Sequence, residues 1–136
     1  MRDAVDLHHQ LQGAPILDVL DRQHLEIKRR HKNLRTAIVE GLGMDQIVAC
    51  AKDLIDVTIG HFKSEEGAME ENKFQGLSAH KLLHAEMLES VKKIWSDLER
   101  RKISNAMELM KFFDERLVFH LEQEDIMFER ELRTRM

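Results

Sequence analysis

The chain has 136 residues, of which 43% are hydrophobic and 34% charged, with one proline and six glycines. This length and composition predict one domain of long amphipathic helices rather than a turn-rich β-sheet protein. The net charge of -4, with both signs mixed along the chain, argues against nucleic acid as a partner, and the single cysteine, Cys50, excludes an intrachain disulfide. Residues 1–10 are polar where a signal peptide would be apolar, and no apolar run approaches the roughly 20 residues of a membrane span. We therefore expect a soluble, cytoplasmic protein.

An N-terminal arm and a first helix are predicted at the start of the chain. Residues 1–15 carry no sustained period, so we expect an arm in which His8 and His9 are solvated. The helix is predicted from about Pro15 or Ile16 to just before Gly41, because apolar and histidine side chains recur every three or four residues. That stripe consists of Leu17, Leu20, His24, Ile27, His31, Leu34 and Ile38.

The second and third helices are predicted on either side of a turn at residues 72–76. The second begins at Met44 or Asp45 and ends near Glu71. Ser78 is the expected N-cap of the third helix, because a serine side chain can accept a hydrogen bond from a free backbone N–H of the first turn. The apolar stripe of the third helix consists of Leu82, Met87, Val91, Ile94, Trp95 and Leu98.

A fourth helix completes the predicted fold. Ser104 or Asn105 is its expected N-cap. Its stripe consists of Met107, Met110, Phe113, Leu117, His120 and Phe128. Four helices with short connections favour antiparallel neighbours, so residues 16–136 are predicted to form an all-α, up-down-up-down four-helix bundle.

Histidines and carboxylates recur on the stripes of all four helices. The candidate metal ligands are His24, His61, Glu65, His80, His84, His120 and Asp125. Residues four apart share one face of a helix, and antiparallel packing would bring all seven to one end of the bundle. Taken singly, a histidine on an apolar helical face is more often a hydrogen-bonded residue of the core or its boundary than a metal ligand. Burying so many polar groups unpaired costs several kcal/mol each, so a metal site is predicted in the core. Seven ligands without cysteine exceed the four of a structural zinc site, and two carboxylates favour a pair of harder ions.

One histidine, then HxxxE, HxxxH and HxxxxD on successive helices, is the ligand order of the hemerythrins. Residues 21–125 resemble a bacterial hemerythrin domain, or bacteriohemerythrin, and the resemblance extends to neighbours of the ligands such as Gln23 and Phe62. It implies an oxo- or hydroxo-bridged centre of two iron ions. By this resemblance His80, His84 and His120 hold a saturated iron, His24 and His61 hold an iron with an open position, and Glu65 and Asp125 bridge the two.

The last carboxylate is ambiguous in the sequence. In an ideal α-helix Glu124 points roughly 40° from the direction of His120, whereas Asp125 points about 140° away. Helical geometry alone therefore favours Glu124. The resemblance favours Asp125, because the bacterial hemerythrins use the longer spacing.

The resemblance implies reversible binding of molecular oxygen without enzymatic turnover. The chain would be an oxygen carrier, or the oxygen- or redox-sensing domain of a larger signalling protein such as a diguanylate cyclase or chemotaxis receptor. A charged stretch, Glu129 to Arg135, could lead from the last helix into such an output domain. One alternative is a hemerythrin-like protein that handles peroxide or nitric oxide or donates iron. Another is a structural bundle that binds zinc or no metal.

Five further residues have two interpretations each. His31 is either a histidine at the edge of the core or a proton donor near the oxygen pocket. Glu66 is expected to be solvated, with a role as a carboxylate neighbouring a ligand as the alternative. Ile27, Leu117 and Leu121 either line an oxygen cavity or are ordinary core residues.

Overall fold

The computed structural model describes residues 14–134, and every regular element within that range is helical. The elements are α1 (Ala14–Val39), α2 (Met44–Glu71), α3 (Leu77–Leu98), α4 (Ile103–Phe112), π-helical turns Phe113–Leu117 and His120–Glu124, and α5 (Asp125–Thr134). Residues 103–134 form the fourth helix. The predicted all-α class is confirmed for this part of the chain. Ala14 and Pro15 already belong to α1, and the rest of the predicted arm, with His8 and His9, lies outside the described residues.

Glycines end the first helix where the sequence predicts. Gly41 and Gly43 have φ angles of 62° and 92°, a left-handed backbone that glycine adopts without steric cost. The backbone N–H of Leu42 donates to the carbonyl of Ala37 at 3.0 Å, which satisfies one of the last free carbonyls of α1. The chain can therefore turn at once into α2.

The predicted N-caps of the third and fourth helices are wrong. The capping positions are Gly76 and Lys102, and neither makes a side-chain capping hydrogen bond. The first α-helical hydrogen bond of α3 runs from the N–H of His80 to the carbonyl of Gly76 at 3.0 Å, so the capping position lies two residues before Ser78. Ser78 and Ser104 consequently lie inside the first turns of their helices.

The buried stripe of α1 matches the prediction, whereas two apolar residues of the later helices do not. Leu82 is 61% exposed and Met107 is 53% exposed. Leu82 stands two positions from His80 and His84, which both turn inward, so it points to the opposite side at about 200°. Met107 points outward because its neighbour Ala106 occupies the buried face.

Two apolar clusters fill the interior and leave a layer between them. The large cluster includes Ile27, Leu54, Phe62, Met87, Leu109 and Leu121. The small cluster consists of Leu17, Leu20, Ala68, Met69, Phe128 and Leu132. On α1 the intervening layer contains His24, and on the fourth helix it contains Asp125. Polar side chains are thus held between two layers that exclude water.

Contacts between neighbouring helices run in opposite sequence directions. Between α1 and α2, Gln23 donates from Nε2 to Oγ of Ser64 at 2.9 Å, and Arg30 lies 3.5 Å from Asp53. The same ordering occurs between α3 and the fourth helix, in the pairs His80–Asp125, His84–His120 and Ser90–Arg116. Among the described helices, none combines the length and hydrophobicity needed to cross a membrane.

Candidate metal centre

The seven candidate ligands lie together in the layer between the two apolar clusters. Six of them, all except His24, are at most 7% exposed. The His24 side chain is 15% exposed and is the ligand nearest to solvent. Each of the four helices contributes at least one of these side chains, so the layer depends on the packing of the whole fold.

Asp125 is in contact with four imidazoles, two at each carboxylate oxygen. Its Oδ2 lies 2.9 Å from Nε2 of His61 and 3.3 Å from Nε2 of His24. Its Oδ1 lies 2.8 Å from Nε2 of His120 and 3.1 Å from Nε2 of His80. The carboxylate therefore stands between two pairs of histidines.

Glu65 has a similar position between histidines. Its Oε1 lies 2.5 Å from Nε2 of His80 and 3.2 Å from Nε2 of His84, while its Oε2 lies 3.7 Å from Nε2 of His61. Two donor groups result, in each of which the ligand atoms lie within 4.8 Å of one another. One group is Glu65, His80, His84, His120 and Asp125, and the other is His24, His61, Glu65 and Asp125. The two groups share both carboxylates.

A π-helical turn accounts for the position of Asp125. Its backbone N–H bonds to the carbonyl of His120, five residues earlier, where an α-helix would bond four residues apart. This wider turn brings residues five apart onto one face, so the ideal-helix argument for Glu124 is wrong here. Glu124 instead has Oε1 at 3.3 Å from Nδ1 of His120, the nitrogen that faces away from the layer.

Polar side chains also face the outward nitrogens of His61 and His84. Nδ1 of His61 lies 3.0 Å from Oε1 of Gln23, and Nδ1 of His84 lies 2.7 Å from Oε2 of Glu66. The expected solvation of Glu66 is therefore wrong. An acceptor at Nδ1 keeps the ring proton there, which leaves the lone pair of Nε2 free to face the layer. Gln23 and Glu66 thus hold His61 and His84 in the tautomer that binds a metal.

Phe62 and Glu129 contact ligands in ways that the sequence analysis missed. The Phe62 ring stacks on His84, with centroids 3.9 Å apart and planes 5° apart, which fixes the plane of that imidazole. Glu129 is 7% exposed, and its Oε1 lies 3.8 Å from Nδ1 of His24. The four-residue spacing from Asp125 to Glu129 in the sequence could have indicated this shared face.

Burial and mutual contacts shift the pKa values of the layer strongly. Burial raises the pKa of Glu65 well above its usual range. Burial alone would raise the pKa of Asp125, but hydrogen bonds from His120 and three other imidazoles hold it below its usual value. For His80 the same carboxylates outweigh burial and raise the pKa to about 9, whereas burial lowers the pKa of His84 to about 3. The shifts of His84 and Asp125 thus favour the neutral imidazole and the ionised carboxylate that bind a metal ion, whereas His80 and Glu65 would each have to release a proton to do so.

Two features show that these residues fit a metal. Oε2 of Glu65 is buried and accepts no hydrogen bond from the described residues. Nε2 of His24 and of His61 lie 3.1 Å apart, and Nε2 of His84 and of His120 lie 3.0 Å apart. Each such nitrogen pair can share only one proton, whereas a metal ion would satisfy both lone pairs. Imidazole and carboxylate donors without sulfur suit several transition metals, iron among them.

His31 lies outside this layer. Its Nε2 is 2.8 Å from Oδ1 of Asp114, which also pairs with Arg35 at 2.6 Å. His31 therefore joins α1 to the first π-helical turn at the edge of the core.

The three candidate cavity residues, Ile27, Leu117 and Leu121, are buried in the large apolar cluster. A cavity of about 190 Å³ lies elsewhere, between α1 and α2. It is lined by Gln23, Glu26, Val57, Gly60 and His61. This cavity reaches the side of the layer that holds two histidines.

A comparison with curated proteins finds similarity to a myohemerythrin from Riftia pachyptila. The two chains are 33% identical over 58 residues, which is 43% of this chain and 48% of the relative. The match thus spans about half the length of that relative. No family model and no solved structure matches the chain. The similarity supports a hemerythrin-like protein, and the buried histidine and carboxylate cluster is compatible with a metal site.

Proposed function

We propose that this protein is a bacterial-type hemerythrin domain, an up-down-up-down bundle that holds two iron ions and binds molecular oxygen reversibly. The observation that carries the proposal is the sharing of Glu65 and Asp125 by two groups of histidines. A single ion would need only one of these groups. Two carboxylates with one oxygen toward each group are suited to bridge a pair of ions.

The two donor groups differ in size, which suggests different roles. His80, His84 and His120 would hold one iron, and His24 and His61 would hold the other, with the two carboxylates bridging. The group with two histidines offers one protein donor fewer, so an oxygen molecule would bind on that side. When bound, the iron pair supplies the redox chemistry that oxygen binding requires.

The chain contributes orientation and the exclusion of water. Gln23 holds His61 with Nε2 toward the layer, and Phe62 holds the plane of His84. The two apolar clusters limit access of water from above and below the layer. Excluding water would slow the loss of peroxide, and so favour reversible binding over irreversible oxidation of the centre. The cavity at Gln23 and His61 supports oxygen access from between α1 and α2.

We propose binding without enzymatic turnover, as a carrier or as the sensing part of a larger protein. The sensing role is supported by α5, which begins at Asp125 and reaches Thr134. Because one bridging carboxylate starts this helix, a change at the centre would act directly on α5. A fused or separate output domain beyond it would receive that change.

The test is the absorption spectrum of the protein reconstituted with iron(II) without oxygen and then exposed to air. A visible band that appears in air and disappears when oxygen is removed, with two irons per chain, is the expected result. A matched pair of variants sharpens the test: Asp125→Asn should lose iron, whereas Glu124→Gln should keep both ions. Equal content of iron in the two variants would contradict the bridging role. Irreversible oxidation, with no reversible band, would favour the alternative of handling peroxide or nitric oxide.

A further inference from the structure

A third group of metal-binding side chains lies on the outer side of His24. Asp21, His24 and Glu129 each offer a ligand atom, and these atoms lie within 4.8 Å of one another. The group extends from the surface inward, since Asp21 is exposed, His24 is partly buried and Glu129 is buried. It is built by α1 and α5, one turn away from the buried layer.

Glu129 has an unsatisfied oxygen in this group, although the charge of Arg133 acts on its carboxylate. Its Oε1 is buried and has no hydrogen-bond partner among the described residues. The nearest nitrogen of an ion-pair partner, Nδ1 of His24, is 3.8 Å away, beyond hydrogen-bond distance. Asp21 adds a second carboxylate to the same place. The group therefore offers two carboxylates, one of them with an unsatisfied buried oxygen, and one imidazole. Such donors suit a divalent cation such as iron(II), cobalt(II) or manganese(II).

His24 connects this outer group to the buried centre. Its Nε2 faces His61 and Asp125, whereas its Nδ1 faces Glu129. It is also the most exposed of the five layer histidines. An ion bound at the outer group would therefore stand one imidazole ring away from the side of the centre that has two histidines.

We propose that Asp21, His24 and Glu129 form an uptake site that captures a divalent ion at the surface and passes it to the buried centre. The delivery step rests on the function proposed above, while capture itself does not. His24 would bind the arriving ion through Nδ1 with its proton on Nε2. It would bind the buried ion through Nε2 after the outer ion has left and the proton has moved to Nδ1. Because a neutral imidazole has one free lone pair, the outer site is complete only before the inner position is filled.

The test follows uptake of cobalt(II) by metal-free protein in a stopped-flow spectrometer, because bound cobalt(II) absorbs visible light. The double variant Asp21→Asn with Glu129→Gln removes both charges with little change in shape. We expect uptake about tenfold slower than in the wild type, with the same final number of ions, since a negative cluster raises the capture rate of cations. The wild-type rate should also fall with added salt more steeply than the variant rate.

A matched control is Glu40→Gln with Glu108→Gln, which removes two negative charges from exposed positions just beyond the far end of α1 and in α4, several helical turns from the outer group. Its uptake rate should stay within about twofold of the wild type, because the field of distant surface charges is screened. Equal slowing in both double variants, or slowing in neither, would overturn the uptake site. If the variant Asp21→Asn with Glu129→Gln takes up cobalt(II) at the wild-type rate but binds fewer ions or shows an altered spectrum, the uptake site is also overturned. Glu129 would then only orient His24. Fewer than two ions in the wild type would count against the proposed function and leave the rate comparison intact.

Discussion

Deletion of Gln123 tests the π-helical turn that brings Asp125 beside His120. Gln123 is exposed and lies within that turn, so its removal takes away no buried contact. The remaining chain can then form ordinary α-helical hydrogen bonds. We expect this deletion to be tolerated, although deletions within helices normally disrupt everything that follows them.

The expected result comes from the rotation per residue. In an α-helix, five residues turn the chain about 140° past a full revolution, and four residues turn it about 40° past. Without Gln123 the aspartate is four residues from His120. An ordinary α-helix then places it on the same face that the π-helical turn gives it in the wild type. Phe128 and Glu129 keep their register with the aspartate because α5 is unchanged.

Deletion of Lys52 is the matched control. Lys52 is equally exposed but lies in α2, which has no π-helical turn to absorb the change. All later residues of α2 would turn by about 100° relative to those before the deletion. Phe62 and Met69 would then leave the core, at a cost of about 1.5–3 kcal/mol each, and His61 would leave the centre.

Metal analysis and urea unfolding distinguish the two deletions. The protein without Gln123 should keep both ions and stay within about 1 kcal/mol of wild-type stability, a small change by the standards of point mutants. The protein without Lys52 should lose the ions and several kcal/mol of stability. If loss of Gln123 removes the metal as completely as loss of Lys52, then the turn is not what sets the position of Asp125.

Two further predictions concern Gln23, which contacts the layer, and His31, which lies outside it. Replacing Gln23 by Leu removes the acceptor for Nδ1 of His61 and should weaken binding of one ion by about 10- to 100-fold, measured by chelator competition. Unchanged affinity would rule out the orienting role. Burial, opposed in part by Asp114, lowers the pKa of His31, so the unfolded chain binds this proton more readily and stability falls as the pH drops below about 6.5. His31→Gln should reduce that loss of unfolding free energy between about pH 8 and about pH 5, and an identical loss in both proteins would contradict it.

Sequence periodicity predicted most of the helical fold because it reports which face of a helix is buried. The stripe of α1 and the helix end before Gly41 follow directly from spacing and from glycine conformation. The predicted caps at Ser78 and Ser104 are wrong because each helix begins two residues earlier, after Gly76 and Lys102. Periodicity also misplaced Leu82, whose direction is fixed by the two histidines that flank it.

The arrangement of the site was harder to predict because it depends on local departures from ideal geometry. The sequence contains both Glu124 and Asp125 after His120, and only the π-helical turn decides which of them faces the layer. In the sequence analysis, Glu129 enters only as the start of a charged stretch. Its four-residue spacing from Asp125 was the one signal that it faces the interior.

The position of the layer between two apolar clusters links folding to metal binding. Seven polar side chains fill a cross-section of the bundle that apolar residues would otherwise occupy. Without a metal ion, their charges and lone pairs cannot all be satisfied at once. Glu65 resists ionisation while Asp125 resists protonation, and pairs of imidazole nitrogens face each other with one proton between them. Two bound metal ions, as proposed, would resolve these conflicts together, because each lone pair would have a partner and each carboxylate could remain charged. The groups that make the metal-free core costly are therefore the same groups that would make it selective for two ions.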